Sequence, residues 1–168
     1  MNHIKAVSGL SPYMGKNEHL SIYIDDKRLD EILSQEVQKE YLGLIPAWLN
    51  FYDKAFAPSM KEKEYVWKQT QLSDRPVVLP ILLCPDDFDF SCTVIVVEVV
   101  YIDDKVIWRR FGMDITPYDA DETELPKYIG KKVDWFHDLG PFEFSKEEYL
   151  QCVSQFRMLD RSPFQSVE

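Results

Sequence analysis

The residues of this chain that could carry out chemistry are three histidines and three cysteines, and they form no recognisable catalytic pattern. His3, His19 and His137 are far apart, and no two of them belong to one motif. The chain contains no G-x-S-x-G, no P-loop and no G-x-G-x-x-G, the patterns that expose a nucleophilic serine or cradle a phosphate. Because no nucleophile and base stand at a recognisable spacing, we expect no catalytic residues and no cofactor.

Cys84 and Cys92 flank a short loop, where they could serve as a nucleophile or as zinc ligands. Neither a C-x-x-C motif nor a set of His and Cys partners accompanies them, and a structural zinc site needs such a set. We interpret both as small apolar residues near the ends of facing strands. With Cys152 the number of cysteines is odd, and we expect all three to remain reduced thiols in the cytosol.

The loop between these cysteines partly matches a calcium-binding loop. Residues with suitable oxygens stand at its first, third, fifth and twelfth positions, namely Asp87, Asp89, Ser91 and Glu98. The sixth position is Cys92, where the sharp turn of a calcium loop requires glycine, and the residues that follow are typical of a strand. We therefore predict no metal site, and interpret the carboxylates as an exposed hairpin loop that bonds its own amides.

The acidic charge of the chain is the main indication of its partners. The formal net charge is -10, which disfavours nucleic acid because phosphate contacts need Lys and Arg. It suits a basic protein surface instead, since opposite potentials steer association. Two acidic loops are the candidate partner-binding residues: Asp86, Asp87 and Asp89 in the first, and Asp119, Asp121, Glu122 and Glu124 in the second. For each loop, simple solvation of the charges is the alternative interpretation.

The core of a sheet is predicted between Val77 and Gly112, a stretch that includes the first of these two acidic loops. Three apolar runs rich in β-branched residues are separated there by two short acidic loops, which favours strands. The middle run, Cys92 to Ile102, is apolar on both alternations apart from two residues, so we expect a central strand covered on both faces. Pro80 indicates that the first strand is at an edge or bulged.

The turn between the second and third runs predicts a register. If Asp103 and Asp104 form the tip of a hairpin, Ile102 faces Lys105 by simple counting. The same count places Val99 opposite Trp108 and Glu98 opposite Arg109, and opposite charges across a ladder attract. A shift of one residue would contradict this prediction.

Further strands and helices are predicted before and after this stretch of the sequence. His19–Ile24 alternates as a half-buried strand, a helix follows over Lys27–Tyr41, and Pro46 suits the first turn of another. Ala55–Lys63 looks like a charged connector, and Ser145–Glu148 is a capping box. The last helix should bury one stripe, consisting of Tyr149, Leu150, Val153 and Phe156. The expected fold class is α+β, with a mainly antiparallel central sheet and helices packed against it.

The chain is predicted to be one domain over residues 1–168. Residues 1–18 are expected to be a loosely ordered arm because Gly9, Pro12 and Gly15 interrupt any period, and residues 160–168 a tail. The start lacks the apolar region of a signal peptide, and no apolar run reaches the ~20 residues of a membrane span. We therefore expect a cytoplasmic protein that binds no membrane.

Three stretches resemble the immunity proteins of bacterial polymorphic toxin and contact-dependent growth inhibition systems. They are L-P-I-L-L-C-P-D-D-F-D-F-S-C-T-V-I-V-V-E-V, V-I-W-R-R-F-G-M-D and F-E-F-S-K-E-E-Y-L-Q-C. The resemblance covers about half the chain, and its motifs are structural rather than catalytic. It implies a protein without enzymatic activity that binds a cognate toxin domain and blocks it, and many such toxins are nucleases with basic clefts.

Two other classes of function stay open from the sequence. The first is a non-catalytic regulatory or structural subunit of a host complex, which copurification with housekeeping proteins would favour. The second is an enzyme with an unrecognised site, which loss of turnover on mutating Cys84 or His137 would favour.

Overall fold

Two antiparallel sheets and the helices beside them build the protein, as seen in a computed structural model that describes residues 1–10, 18–49, 57–86, 89–117 and 129–159. The strands in these ranges are β1 (Ile4–Leu10), β2 (Glu18–Ile24), β3 (Lys27–Arg28), β4 (Ile45–Pro46), β5 (Val77–Leu83), β6 (Val94–Ile102), β7 (Lys105–Asp114), β8 (Val133–Trp135) and β9 (Phe142–Ser145). The helices are α1 (Leu29–Glu36), α2 (Ala57–Gln69), α3 (Lys146–Leu159) and a 3-10 helix at Lys39–Tyr41.

The larger sheet has the order β4-β5-β6-β7-β8, and β9 pairs with β7 as well. The smaller sheet has the order β1-β2-β3. Every pairing in both sheets is antiparallel. The expectation of an α+β fold with a mainly antiparallel sheet is therefore confirmed.

The strand β6 is central in the larger sheet, as its apolar composition predicts. Ile95, Val97 and Val99 are completely buried, and β5 and β7 pair with β6 on its two sides. On β5 the register shifts between Pro80 and Leu82. This irregularity confirms the predicted bulge, because a proline has no N–H to donate to a ladder.

The β6–β7 hairpin confirms part of the predicted register and corrects the rest. Ile102 faces Lys105 and Val99 faces Trp108, as counting from the turn predicts. The register then shifts between Glu98 and Val99, so that Glu98 faces Arg110. The predicted pairing of Glu98 with Arg109 is wrong because a β-bulge inserts one extra residue into β7.

An aromatic cluster centred on Trp108 forms the middle of the core. The Trp108 ring meets Phe144 at a centroid distance of 5.1 Å and Phe111 at 5.8 Å, both edge to face. Trp48 and Tyr149 each lie 6.5 Å from it in similar geometry. These rings come from β7, β9, α3 and the segment after β4, so the cluster joins elements that are distant in the sequence.

Residues 1–18 are not wholly a loosely ordered arm, which corrects the expectation for this segment. Residues 4–10 form β1, which pairs with β2 along its whole length, and Ile4 is buried. The backbone N–H of Asn2 also donates to the carbonyl of Glu143 at 2.8 Å. Pairing partners far along the chain stabilise this strand, and they are invisible in its own composition.

The first predicted helix is shorter than expected, and among the described residues no helix begins at Pro46. Lys27 and Arg28 pair back onto β2, so α1 begins only at Leu29 and ends at Glu36. Pro46 lies in β4, opposite Leu82, and not at the start of a helix. In both places strand pairing overrides the local helical signal.

The predicted charged connector Ala55–Lys63 is also wrong, because α2 begins at Ala57. Two of its charges are buried and hydrogen-bonded. Glu62 accepts the N–H of Phe90 at 2.7 Å, and Lys63 donates to the carbonyl of Ala47 at 2.7 Å. Charges that suggested a connector thus satisfy backbone groups of neighbouring segments.

At the start of α3 the Ser145 half of the predicted capping box forms: the N–H of Glu148 donates to the Ser145 hydroxyl at 3.1 Å, and the Glu148 carboxylate lies 3.5 Å from that hydroxyl. The predicted inward stripe needs one correction. Leu150 is 44% exposed, whereas Cys152 is buried together with Tyr149, Val153 and Phe156. These four positions follow the helical spacing of three and four residues, and Leu150 lies off that face.

Candidate functional site

A concave surface, which we call the acidic groove, lies between the end of α1 and the segment that contains β8. Its volume is about 460 Å³. Three parts of the chain line it: Glu36, Val37, Gln38, Glu40 and Tyr41 on one wall, Thr93 and Met113 from the sheet, and Asp134, Trp135, Phe136, His137 and Asp138 on the other wall.

The lining of the acidic groove is strongly negative. Among the described residues, this lining contains the carboxylates of Glu36, Glu40, Asp134 and Asp138, together with His137, and no Lys or Arg. A concave site lined by one sign of charge concentrates field lines and attracts ions of the opposite sign. The groove therefore favours a cationic ligand.

Aromatic rings supply the apolar part of the groove. The rings of Tyr41 and Phe136 lie 5.6 Å apart and are tilted by 33°, and Trp135 lies beside them in the lining. Burial raises the pKa of the Tyr41 hydroxyl, and the charges of Glu40 and Asp134 raise it further. Carboxylates from both walls thus act on the same aromatic group.

The wall that carries Trp135 is positioned by strand pairing on β7. Trp135 pairs with Gly112, and the N–H of Phe136 donates to the carbonyl of Phe111 at 2.8 Å. A Cβ atom on Gly112 would lie 2.5 Å from Cγ1 of Val133 and 2.8 Å from the carbonyl oxygen of Asp134. Only glycine leaves room for β8 to approach β7 this closely.

The opposite wall is anchored by a buried ion pair at the start of α1. Asp30 is 2% exposed, receives hydrogen bonds from the Arg28 guanidinium, and accepts the N–H of Gly43 at 2.8 Å. Its hydrogen bond to Arg28 raises the pKa of that guanidinium. Asp30 thereby ties α1 to the segment after the 3-10 helix, and so holds Glu40 and Tyr41 in place.

Neither Asp86 nor Asp89, the two predicted partner-binding residues that the structure describes, lines the groove. Asp86 is exposed, and the Asp89 carboxylate accepts the N–H of Ser91 at 2.9 Å and also bonds the hydroxyl of that residue. The loop that carries them ends beside Thr93, which does line the groove. The other predicted residues, Asp87, Asp119, Asp121, Glu122 and Glu124, lie outside the described residues.

Sequence reasoning missed the acidic residues of the groove because they are scattered. They come from residues 36–40 and residues 134–138, which are separated by almost 100 positions and belong to no motif. The local signal that was present is the aromatic and acidic composition of residues 134–138. Only the docking of β8 on β7 brings it opposite α1.

The three histidines are dispersed in the structure as in the sequence. His3 is exposed beside Glu148, His19 is buried, and His137 lies in the acidic groove. Burial raises the pKa of the Cys152 thiol to about 12, so this sulfur is a poor nucleophile. Within the described ranges, no group of three or more His, Cys, Asp or Glu side chains could hold a metal ion.

No protein family model, curated protein or solved structure matches this chain. Among the described residues, no helix combines the length and the apolar character needed to cross a membrane.

Proposed function

We propose that this protein is an immunity protein that binds a cognate toxin domain in the cytosol and neutralises it through the acidic groove. One observation carries the proposal: four carboxylates and three aromatic residues line one concave surface, and no Lys or Arg among the described residues lines it. The resemblance of three stretches to immunity proteins, described above, supports it independently of the groove. The expected partner surface is basic, as in the substrate cleft of a nuclease.

The chemistry of the groove suits a Lys or Arg side chain from the toxin. A carboxylate forms charge-assisted hydrogen bonds with ammonium or guanidinium groups. An aromatic face adds a cation–π attraction of about 0.5–1 kcal/mol at exposed sites. With Glu40 and Asp134 on opposite walls, a cation between them would meet both types of group.

Neutralisation by such contacts requires no catalytic step. Carboxylates placed against a basic cleft compete with the phosphates of the substrate for the same cations. The net charge of -10 also raises the rate of encounter with a basic partner, and salt screens this steering. Asp86 and Asp89, in the loop before Thr93, would extend the negative surface beside the groove.

The test begins with the partner and continues with matched variants. The product of the neighbouring reading frame, or a protein captured from the native cell, would be mixed with this protein and the association rate measured at low and high salt. Asp134→Asn with Asp138→Asn removes two charges from the groove. Asp103→Asn with Asp104→Asn removes two exposed charges at the hairpin tip, roughly 25 Å away by the rise of a strand.

We expect the groove variant to associate more slowly with the toxin, most clearly at low salt, and to protect cells less well. The hairpin-tip variant should behave like the unchanged protein. Equal protection by both variants would overturn the groove as the recognition surface. Capture of housekeeping proteins, with no toxin among them, would favour a regulatory subunit instead.

The two predicted acidic loops have their own test. Reversing Asp86, Asp87 and Asp89 to Lys should slow association if the first loop contacts the toxin, and the parallel change at residues 119–124 tests the second. Folding should survive because loop charges contribute little to stability. Full protection of cells after both reversals would show that neither loop contacts the toxin. The groove is tested separately, by Asp134→Asn with Asp138→Asn.

A further inference from the structure

We infer that Arg110 is a positioning residue for the acidic groove: it does not line the groove but holds Trp135, which does. The inference rests on the proposed function, because positioning matters only if the groove binds a partner. It concerns a residue whose own charge is opposite to that of the lining.

The Arg110 guanidinium has two partners, a carboxylate at its edge and an aromatic ring against its face. Its Nε and Nη2 donate to the two carboxylate oxygens of Glu98, each at 3.2 Å. Its Cζ lies 4.0 Å from the centroid of the Trp135 ring. The planar guanidinium suits this double contact, since it forms paired bonds to a carboxylate while stacking on an aromatic face.

Gly112 is a second residue that contacts the Trp135 ring. A Cβ atom at this position would lie 3.0 Å from Cε3 of the Trp135 ring, so the ring packs directly against the glycine backbone. An aromatic side chain across from a strand glycine shields the exposed backbone, a device known from designed sheets. The indole is therefore in contact with Gly112 as well as with the Arg110 guanidinium.

A ring that is held before the partner arrives loses little rotamer freedom on binding. If Arg110 is removed, Trp135 becomes free to change rotamer, and ordering it again should weaken binding by about two- to tenfold. The electrostatic effect of removing Arg110, taken alone, would change the binding affinity in the opposite direction. Removing a positive charge close to a negative groove should strengthen the binding of a cationic ligand.

Arg109 provides a matched control. It is the neighbouring residue on β7, its side chain is 56% exposed against 46% for Arg110, and its Nε lies 3.6 Å from the same Glu98 carboxylate. Changing either arginine to Gln removes one positive charge. Of the two, only Arg110 is stacked on Trp135.

The experiment uses an acetylated tetra-arginine amide as a cationic probe, titrated by calorimetry into the full-length protein at low salt. Arg110→Gln should weaken probe binding by about two- to tenfold, whereas Arg109→Gln should leave it equal or slightly stronger. Arg110→Lys keeps the charge without the planar stack, and it should also weaken binding. This conservative variant serves as the test if Arg110→Gln does not fold.

A second readout needs no ligand. The indole N–H of Trp135, assigned by NMR, should become more mobile in Arg110→Gln and stay rigid in Arg109→Gln. Equal probe affinity and equal Trp135 mobility in the two variants would overturn the positioning role while leaving the groove intact. An unchanged probe affinity in Asp134→Asn with Asp138→Asn would instead overturn the groove as the binding site.

Discussion

The carboxylate of Glu98 on β6 accepts hydrogen bonds from both Nε and Nη2 of Arg110 on β7, each at 3.2 Å. Only 14% of the Glu98 side chain is exposed, against 46% of the Arg110 side chain, so the carboxylate of this pair is better shielded from water and salt than in an ordinary surface pair. The two-bond geometry also fixes both side chains. Such a pair should therefore contribute measurably to stability.

A double-mutant cycle with Glu98→Gln and Arg110→Gln would measure this contribution by urea unfolding. We expect a coupling free energy of about 0.5–1 kcal/mol. The control is the pair Lys5–Asp26, whose side chains are 54% and 84% exposed and whose coupling should be close to zero. A coupling for Glu98–Arg110 no larger than that of the control would contradict the expectation.

Substitution of Gly112 by Ala tests the close approach of β8 to β7. Because the added Cβ would lie 2.5 Å from Cγ1 of Val133, β8 must shift, and we expect a loss of about 1–3 kcal/mol in the free energy of unfolding. Gly9 on β1 is the control, since its added Cβ meets nothing within 4 Å. If Gly9→Ala proved as destabilising as Gly112→Ala, steric crowding would not be the cause.

The three cysteines should differ in reactivity. Cys92 is exposed, while Cys152 is buried and has its pKa raised by burial to about 12, so the reactive thiolate hardly forms at Cys152 near neutral pH. In native protein, iodoacetamide should modify Cys92 and spare Cys152, as read by mass spectrometry of peptides. In denaturant without reductant all three should react, and finding one thiol instead of three would indicate a disulfide.

Asp25 should make stability depend on acidic pH. The side-chain hydrogen bond from Asn2 lowers the pKa of Asp25 below its ordinary value of 3.8; burial opposes this shift, and the N–H of His3 adds to it. Because the pKa of Asp25 is lower in the folded protein than in the unfolded chain, its ionised carboxylate stabilises the fold fully at pH values above the unfolded-state pKa. This stabilisation is lost as the pH falls through the folded-state pKa.

Asp25→Asn suits this test because Asn tolerates the positive φ of 50° at this position. Unfolding would be followed in urea across a series of pH values. The unchanged protein should exceed the variant in stability at neutral pH, and the difference should shrink as pH falls below about 3.8. A difference that stays constant throughout the series would rule out the Asn2–Asp25 bond as its source.

Local patterns in the sequence determined much of the central sheet. Branched apolar runs between short acidic turns predict β5, β6 and β7, because such side chains fit a pleated, covered surface. The Ser145–Glu148 spacing predicts the start of α3, since both groups of a capping box lie within one turn. These features depend on residues that are neighbours in the chain, so the sequence alone is enough to identify them.

Tertiary structure decided the features that depend on distant residues. β1 needs β2 and Glu143, the bulge beside Glu98 shifts the pairing to Arg110, and Glu62 is buried because it bonds Phe90. The acidic groove arises because β8 docks on β7 near the end of α1, which brings Glu40 and Asp134 into the lining of one concave surface. No local sequence pattern predicts that Glu40 and Asp134 line one groove, since this arrangement results from pairing and packing between segments far apart in the sequence.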